Sequence, residues 1–203
     1  MPKNIDILPI MKRPDKLSGK IKTDEQLFQA YRSGSQTAFE ELFARHKGPL
    51  YTYCLRMIGE KDRAGDAFQE TFFRAIKYKD SFDARQQFSS WLFAIARNVC
   101  RRILTGDNMF ADFDDAAAEE SNSVEEPQLD YTEKKTIAEA LLQLPPALRE
   151  AMLLFEYDGF TYEEIAGITN VGLSLVKVRI HRARKMLRAI LQPVFREERR
   201  KKQ

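Results

Sequence analysis

Cysteine, histidine and tryptophan are scarce in this chain: two Cys, two His and one Trp in 203 residues. Cys54 and Cys100 have no ligand-type spacing and His46 and His181 lie far apart, so neither a zinc site nor a disulfide framework is expected. Both cysteines fall in apolar helical patterns and read as small core residues, with no motif that assigns either a redox role. No apolar run approaches the ~20 residues that cross a bilayer. The apolar stretch near the N-terminus is too short for a secretory signal, so a cytoplasmic chain without membrane insertion is expected. Strand-like alternation, a glycine-rich phosphate loop and internal repeats are all missing. So is any carboxylate cluster, nucleophile–base pair or metal constellation, which argues against an enzyme, a cofactor, a bound metal or a small-molecule substrate. What is present is a charged, foldable sequence, 43% hydrophobic and 31% charged, with helical periodicity along most of its length.

The net charge is only +3, and its distribution says more than its sum. Residues 1–22 carry six basic and two acidic groups, and residues 23–102 thirteen and ten. Residues 103–133 carry no basic group and ten acidic ones, whereas residues 134–203 carry fourteen and eight. The acidic stretch is poor in large aliphatic side chains and rich in small polar ones. It cannot bury enough apolar surface to offset the entropy of ordering, and a flexible linker is expected over 105–133. The reading divides the chain into a basic N-terminal extension (1–22), a helical domain (23–104), the linker, a second helical domain (134–192) and a basic tail (193–203) beginning at Pro193.

The second domain carries the most informative segment. From Thr161 the sequence reads as a short helix, a tight turn and a long helix, and between Leu173 and Leu191 there are six Lys or Arg and no Asp or Glu. Thr161 and Glu164 have the spacing of a capping box, and Asn170 and Gly172 both tolerate a turn with positive φ. At 100° per residue, Val176, Ile180, Ala183, Leu187 and Ile190 share one side of the long helix. Ser174, Lys177, Val178, His181, Arg182, Lys185 and Arg188 share the other, with Val178 an apolar exception that a thymine methyl would suit. A helix of this kind, propped on a shorter one, fits the major groove of DNA, early positions meeting base edges and later ones phosphates. The plainer alternative is a solvated basic face.

Four helical patterns fit residues 23–104. The first is capped by Thr23 and ends near Gly34. The second runs from Ser35 to Gly59, with Lys47-Gly48-Pro49 a place for it to bend. The third spans about Lys61 to Tyr78, and the fourth about Ser89 to Leu104. In the third, Phe68, Phe72, Ala75 and Ile76 form a core stripe, while Phe73 falls opposite among Asp66, Gln69, Glu70 and Lys77. An aromatic ringed by polar groups is the pattern of a protein-binding hot spot; the alternative is that Phe73 packs on another helix of the domain. In the fourth, Leu92, Phe93, Ala96, Val99, Cys100, Ile103 and Leu104 make the core face, and Trp91, Asn98, Arg101 and Arg102 cluster opposite. Such a set can stack bases, hydrogen-bond their edges and hold phosphates, or Trp91 is buried beside ordinary surface arginines. The preceding loop, Ser81 to Phe88, adds groups that could wall a pocket for an extruded base.

Taken in order, five segments carry a family resemblance. They are Asp66-Ala67-Phe68-Gln69-Glu70-Thr71-Phe72-Phe73-Arg74-Ala75, then Phe88-Ser89-Ser90-Trp91-Leu92-Phe93-Ala94-Ile95-Ala96-Arg97-Asn98, then Leu144-Pro145, Tyr162-Glu163-Glu164-Ile165-Ala166 and Val176-Lys177-Val178-Arg179-Ile180-His181-Arg182-Ala183-Arg184. With an acidic stretch between the two halves, the chain resembles the extracytoplasmic-function group of bacterial sigma factors, which direct RNA polymerase to promoters. The resemblance implies an all-α fold of two small helical domains, a four-helix region 2 and a helix-turn-helix region 4. It implies core RNA polymerase as partner, its largest-subunit clamp helices gripped by Asp66, Gln69, Glu70, Phe73 and Lys77, and its flap met by the second domain. It further implies that Phe82, Phe88, Trp91, Asn98, Arg101 and Arg102 recognise and melt the minus-ten element of promoter DNA, a base being flipped near Phe82 and Asn98. Ser174, Leu175, Lys177, Val178, His181, Arg182, Lys185 and Arg188 would read the minus-thirty-five element, and an anti-sigma factor would hold the protein inactive. A stand-alone helix-turn-helix regulator is the competing expectation, and it leaves the motifs at 66–75 and 88–98 unexplained.

Overall fold

The computed structural model describes residues 22–106 and 131–201, with side chains over 22–106 and 137–193. The basic extension expected over 1–22 and the acidic linker expected over 105–133 therefore lie almost wholly outside the described residues. The described chain forms eight α-helices: α1 Asp24–Arg32, α2 Gln36–Ile58, α3 Lys61–Lys77, α4 Phe88–Thr105, α5 Tyr131–Leu142, α6 Pro146–Glu156, α7 Tyr162–Thr169 and α8 Leu173–Lys201, with a 3-10 turn at Lys79–Ser81.

Local chemistry fixes the helix ends. Thr23 caps α1 in a reciprocal box with Gln26, and Ser35 caps α2. Gly59 ends α2 at φ 84°, a left-handed conformation that glycine adopts without a Cβ penalty. α2 runs through Pro49 unbroken. The first turn of α4 has no capping side chain of its own; instead the Phe88 amide donates to Glu25 Oε1 of α1 at 3.0 Å, which places a carboxylate at the positive end of the helix. Asp24 of α1 accepts from Arg45 at 2.7 Å and pairs with His46 Nε2 at 2.7 Å. Burial works against ionising Asp24, but His46 and Arg45 outweigh it and hold the carboxyl below the usual range. The basic tail expected beyond Pro193 is not a separate segment, because α8 continues through that proline to Lys201.

α1–α4 pack around a core in which Leu27, Phe28, Leu42, Leu50, Leu92 and Phe93 are all but inaccessible. Cys54 and Cys100 belong to this core and are both fully buried, as the apolar pattern predicts. The Cys54 side chain and burial push the Cys100 thiol well above its ordinary range, which favours the neutral thiol. α6–α8 form the second unit, with Leu153, Leu154, Ile165, Val176 and Ile180 inside. The two units do not stand apart: α4 lies against α7, and α2 against α5 and α6, so that one continuous core runs through both. Phe93 of α4 meets Phe160, which precedes α7, edge-on at 5.1 Å, and the Arg56 guanidinium of α2 sits 3.5 Å over the Tyr157 ring.

Candidate polymerase and DNA interfaces

α3 presents two chemically distinct faces. Ala64, Ala67, Thr71, Phe72 and Ala75 are buried. Phe73 is 60% exposed, so of its two readings the one that packs it within the domain is excluded. Ile76, assigned to the core stripe by its angle, is corrected by its 39% exposure. It lies in the last turn of α3, at the rim of the bundle, and with Phe73 and Tyr78 extends the exposed apolar surface. Asp66, Gln69 and Lys77 are exposed, and Glu70 is half-buried. Glu70 Oε1 accepts from Arg74 Nε at 2.7 Å and lies 3.6 Å from Arg102 Nη2. Asp66, Gln69, Glu70 and Phe73 line one open groove with Arg102 and Ile103 from the end of α4. Arg102, placed by the resemblance with the minus-ten residues, thus stands beside the expected polymerase contacts.

The expected minus-ten set divides by depth. Phe82 is 4% and Phe88 2% exposed. Both are built into an aromatic cluster with Phe28, at centroid distances of 5.1 and 4.8 Å, and Trp91 joins it at 5.3 Å. The expectation that Phe82 and Phe88 offer an open pocket wall is corrected here: four rings satisfy one another more fully than water can. Trp91 is half-buried, its plainer reading, with only part of the indole left at the surface. Asn98 is exposed, and its Oδ1 accepts from Arg97 at 3.4 Å; Arg101 is half-buried. In the loop, Arg85 forks onto Asp83 at 3.0 and 2.7 Å, and these hydrogen bonds lower the Asp83 carboxyl to about 2.

The helix-turn-helix follows the sequence closely. Thr161 and Glu164 form the capping box, with Glu164 accepting the Thr161 amide at 2.7 Å. Asn170 takes the left-handed conformation at φ 53°, and of the two turn candidates it alone does so. On α8, Val176, Ile180, Ala183 and Leu187 are buried and Ile190 is partly so. Ser174, Lys177 and His181 are exposed and Val178 is 41% exposed, while Leu175, Arg182, Lys185 and Arg188 are half-buried. Two further arginines of the helix, Arg179 and Arg184, are engaged with the protein itself. Arg179 is buried, and Arg184 grips Glu156 at 2.6 and 3.1 Å beside the Phe155 ring.

Sequence reasoning missed three charged residues between the units. Arg97 of α4 lies 3.0 Å from the Glu150 carboxylate of α6, with both side chains buried. Arg149, the neighbour of Glu150, donates to the carbonyls of Met57 at 2.5 Å, Leu142 at 2.7 Å and Leu144 at 3.0 Å, which tie the C-terminal ends of α2 and α5 together. The signal available was Arg97 itself, a cation lying on the apolar stripe of Phe93, Ala96 and Cys100.

Two helical units of this kind, one with an exposed aromatic among polar groups and one with a basic recognition helix, match known families. Residues 42–108 match sigma-70 region 2, and residues 134–187 match sigma-70 region 4. The sigma factor CarQ of Myxococcus xanthus is 31% identical over 80% of this chain and 94% of its own length. The extracytoplasmic-function sigma factor SigW of Bacillus subtilis is 32% identical over 79% of this chain and 92% of its own length. Among solved structures, CnrH in complex with the cytosolic domain of CnrY superposes with a TM-score of 0.66 at 27% identity, over 85% of this chain and 99% of that one. The sigma factor RpoE in complex with the anti-sigma factor NepR from Bartonella quintana gives 0.62 at 27% identity, over 76% and 96%. The chain belongs to the extracytoplasmic-function sigma factors, and it is a sigma factor. Among the described residues no helix is long and apolar enough to cross a membrane.

Proposed function

We propose that this sigma factor binds core RNA polymerase through the α3 groove, with Phe73 as anchor, that α8 reads the minus-thirty-five element as duplex, and that the exposed edge of α4 engages the minus-ten element once it is single-stranded. Asp66, Gln69, Glu70 and Lys77 would ring Phe73 on the clamp helices of the largest subunit, and region 4 would rest on the flap. Asn98, Arg101 and the exposed part of Trp91 would hold the melted strand. The buried Phe82 and Phe88 would shape that surface from beneath. The observation that carries the reading is the exposed Phe73 on one unit, in the same chain as the divided α8 on the other. The solved relative bound to the anti-sigma factor NepR supports a regulator of that class for this chain as well. With this assignment the protein acts in the cytoplasm, positions an enzyme and performs no chemistry of its own.

Energetics assign the melting to the complex. Base stacking is worth about 1.4 kcal/mol per step, so opening ~10 pairs costs about 14 kcal/mol. Stacking one or two flipped bases returns only ~1–3 kcal/mol each. The free chain is therefore expected to leave promoter DNA closed, and holoenzyme to open it. Permanganate reactivity at the minus-ten element with the chain alone would contradict this.

The recognition helix divides between base and phosphate contacts. Replacing Arg182 with alanine is expected to cost ~1–3 kcal/mol and to relax preference at one position of the minus-thirty-five element. Replacing Arg188 is expected to weaken all sequences alike and to lower the salt slope by about one. Binding of a promoter library by the two holoenzymes at several salt concentrations tests the division, and indistinguishable behaviour refutes it.

A further inference from the structure

Two neighbouring carboxylates at the start of α1 serve different helices. Asp24 is held by α2, through Arg45 and His46 at 2.7 Å each. Glu25 is half-buried and accepts the Phe88 amide at the start of α4 at 3.0 Å, across 63 positions of sequence. α4 has need of that acceptor. Its N-cap residue, Gln87, makes no side-chain bond, and its first turn holds no acidic residue. First-turn amides have no partner inside their own helix, so a carboxylate brought from outside satisfies a donor and meets the positive end of the helix dipole. The Phe88 ring is fixed from the same two helices, by Phe28 of α1 at 4.8 Å and by His46 of α2 at 5.3 Å.

This junction sets the loop that precedes α4. Phe82 and Phe88 are both buried, and both pack on Phe28. Between them Ala84, Arg85, Gln86 and Gln87 are exposed, so the loop is a short arch with buried feet. Inside the arch the Gln86 amide donates to the Asp83 carbonyl at 2.9 Å, and the Trp91 amide closes the first turn of α4 on the Gln87 carbonyl at 3.2 Å. The arch and Trp91 therefore take their place from where α4 begins. A surface already ordered in this way loses less conformational freedom when a flexible strand binds it.

We propose that Glu25 is a positioning residue for minus-ten recognition: its hydrogen bond to the Phe88 amide fixes the start of α4, and with it the loop 83–87 and the exposed edge of Trp91, in the geometry that the single strand meets. The proposal rests on the role given to α4 in the sigma-factor reading. Glu25 acts through Phe88 and not through its charge. An anion near DNA opposes binding, so on electrostatic grounds alone its removal would strengthen the strand contact, opposite in sign to the effect expected here.

The first measurement needs no variant. In the wild-type chain the Phe88 amide is expected to exchange with solvent at least about a hundredfold more slowly than an open amide, and exchange at the open rate overturns the proposal. The second uses holoenzyme reconstituted from the full chain and core polymerase. Its probe is a fluorescent single-stranded oligonucleotide copied from the minus-ten region of a promoter that wild-type holoenzyme opens, located by permanganate. Glu25→Ala is expected to weaken probe binding about tenfold, the factor that follows when the ordered start of α4 is present one time in ten. It is also expected to flatten the penalty for single-base changes in the probe. Affinity for core polymerase, set on α3, stays unchanged and shows the variant to be folded. Glu25→Gln keeps an oxygen in place and is expected to stay within about threefold of wild type, a neutral acceptor replacing a charged one. Glu25→Asp keeps the charge but draws the carboxylate back by one methylene, and is expected to behave as Glu25→Ala. Ser35→Ala removes a cap bond that stays within α2, and is expected to lower stability while leaving probe binding within about twofold. Failure of wild-type holoenzyme to open any promoter overturns the sigma-factor reading itself. Where wild type does open one, full probe binding by Glu25→Ala or Glu25→Asp, or equal losses in Glu25→Ala and Ser35→Ala, overturns this proposal alone.

Discussion

Alanine at Phe73 together with alanine at Gln69 is expected to weaken association with core RNA polymerase by about thirtyfold or more, with no change in thermal unfolding. The size follows from the position. A solvent-facing aromatic that becomes buried at the centre of an interface costs ~2–4 kcal/mol when truncated, and 1.4 kcal/mol is a factor of ten. The unchanged stability follows from exposure: at 60% Phe73 has little packing to lose, and Gln69 is exposed beside it. A matched substitution at Phe72, 7% exposed and one residue away, is expected to do the reverse by opening a core cavity, at ~3–5 kcal/mol of stability. Titration of labelled polymerase with the purified variants, alongside circular dichroism melts, separates the two effects. Full-strength polymerase binding by the Phe73/Gln69 variant removes α3 from the interface.

The elements and faces that could be read from the sequence are those set by local rules. Capping residues and glycines placed α1, α2 and α7 within a residue or two, because a helix end must satisfy its own amides and carbonyls from nearby side chains. Periodicity sorted α8 correctly, since one side of that helix has a packed neighbour along much of its length. Depth was another matter. Phe82 and Phe88 look available in a polar loop, yet they are the floor of an aromatic cluster whose centre, Phe28, is some sixty residues away. Ile76 has the right angle for the core, and the bundle has ended by the time the helix reaches it. Arg149 and Glu150 were illegible, and Arg97 showed only as a cation on an apolar stripe, for a related reason: Arg97 and Glu150 pair across the two units, and Arg149 reaches Met57 on the other one, across a stretch whose composition argues for separation. A periodic pattern states which side of a helix is dry without stating what dries it.

Arg149 is the residue whose removal is expected to destabilise the chain most among the charged groups described. Its guanidinium donates to three carbonyls, of Met57, Leu142 and Leu144, close to the C-terminal ends of α2 and α5. The Met57 and Leu142 oxygens lie in the last turns of their helices, where no intrahelical amide reaches them, Leu144 follows just after α5, and the negative ends of two helix dipoles converge on one cation. A hydrogen bond to a charged donor contributes ~1.5–3 kcal/mol, and an acceptor left buried without a donor costs ~1–3 kcal/mol. Allowing for partial access of water after truncation, Arg149→Ala is expected to cost ~3–5 kcal/mol, a shift in Tm of about 10 °C for a chain of this size. Arg149→Lys keeps the charge but not the planar fork that spans two helix ends, and is expected to recover less than half of the loss. The contrast is Arg184, whose pair with Glu156 is partly open to solvent; Arg184→Ala is expected to cost at most ~1 kcal/mol. Urea and thermal unfolding of the three variants test the ranking. Equal losses at Arg149 and Arg184 would mean that the carbonyls at the ends of α2 and α5 are served by water, and that Arg149 does not join the two units.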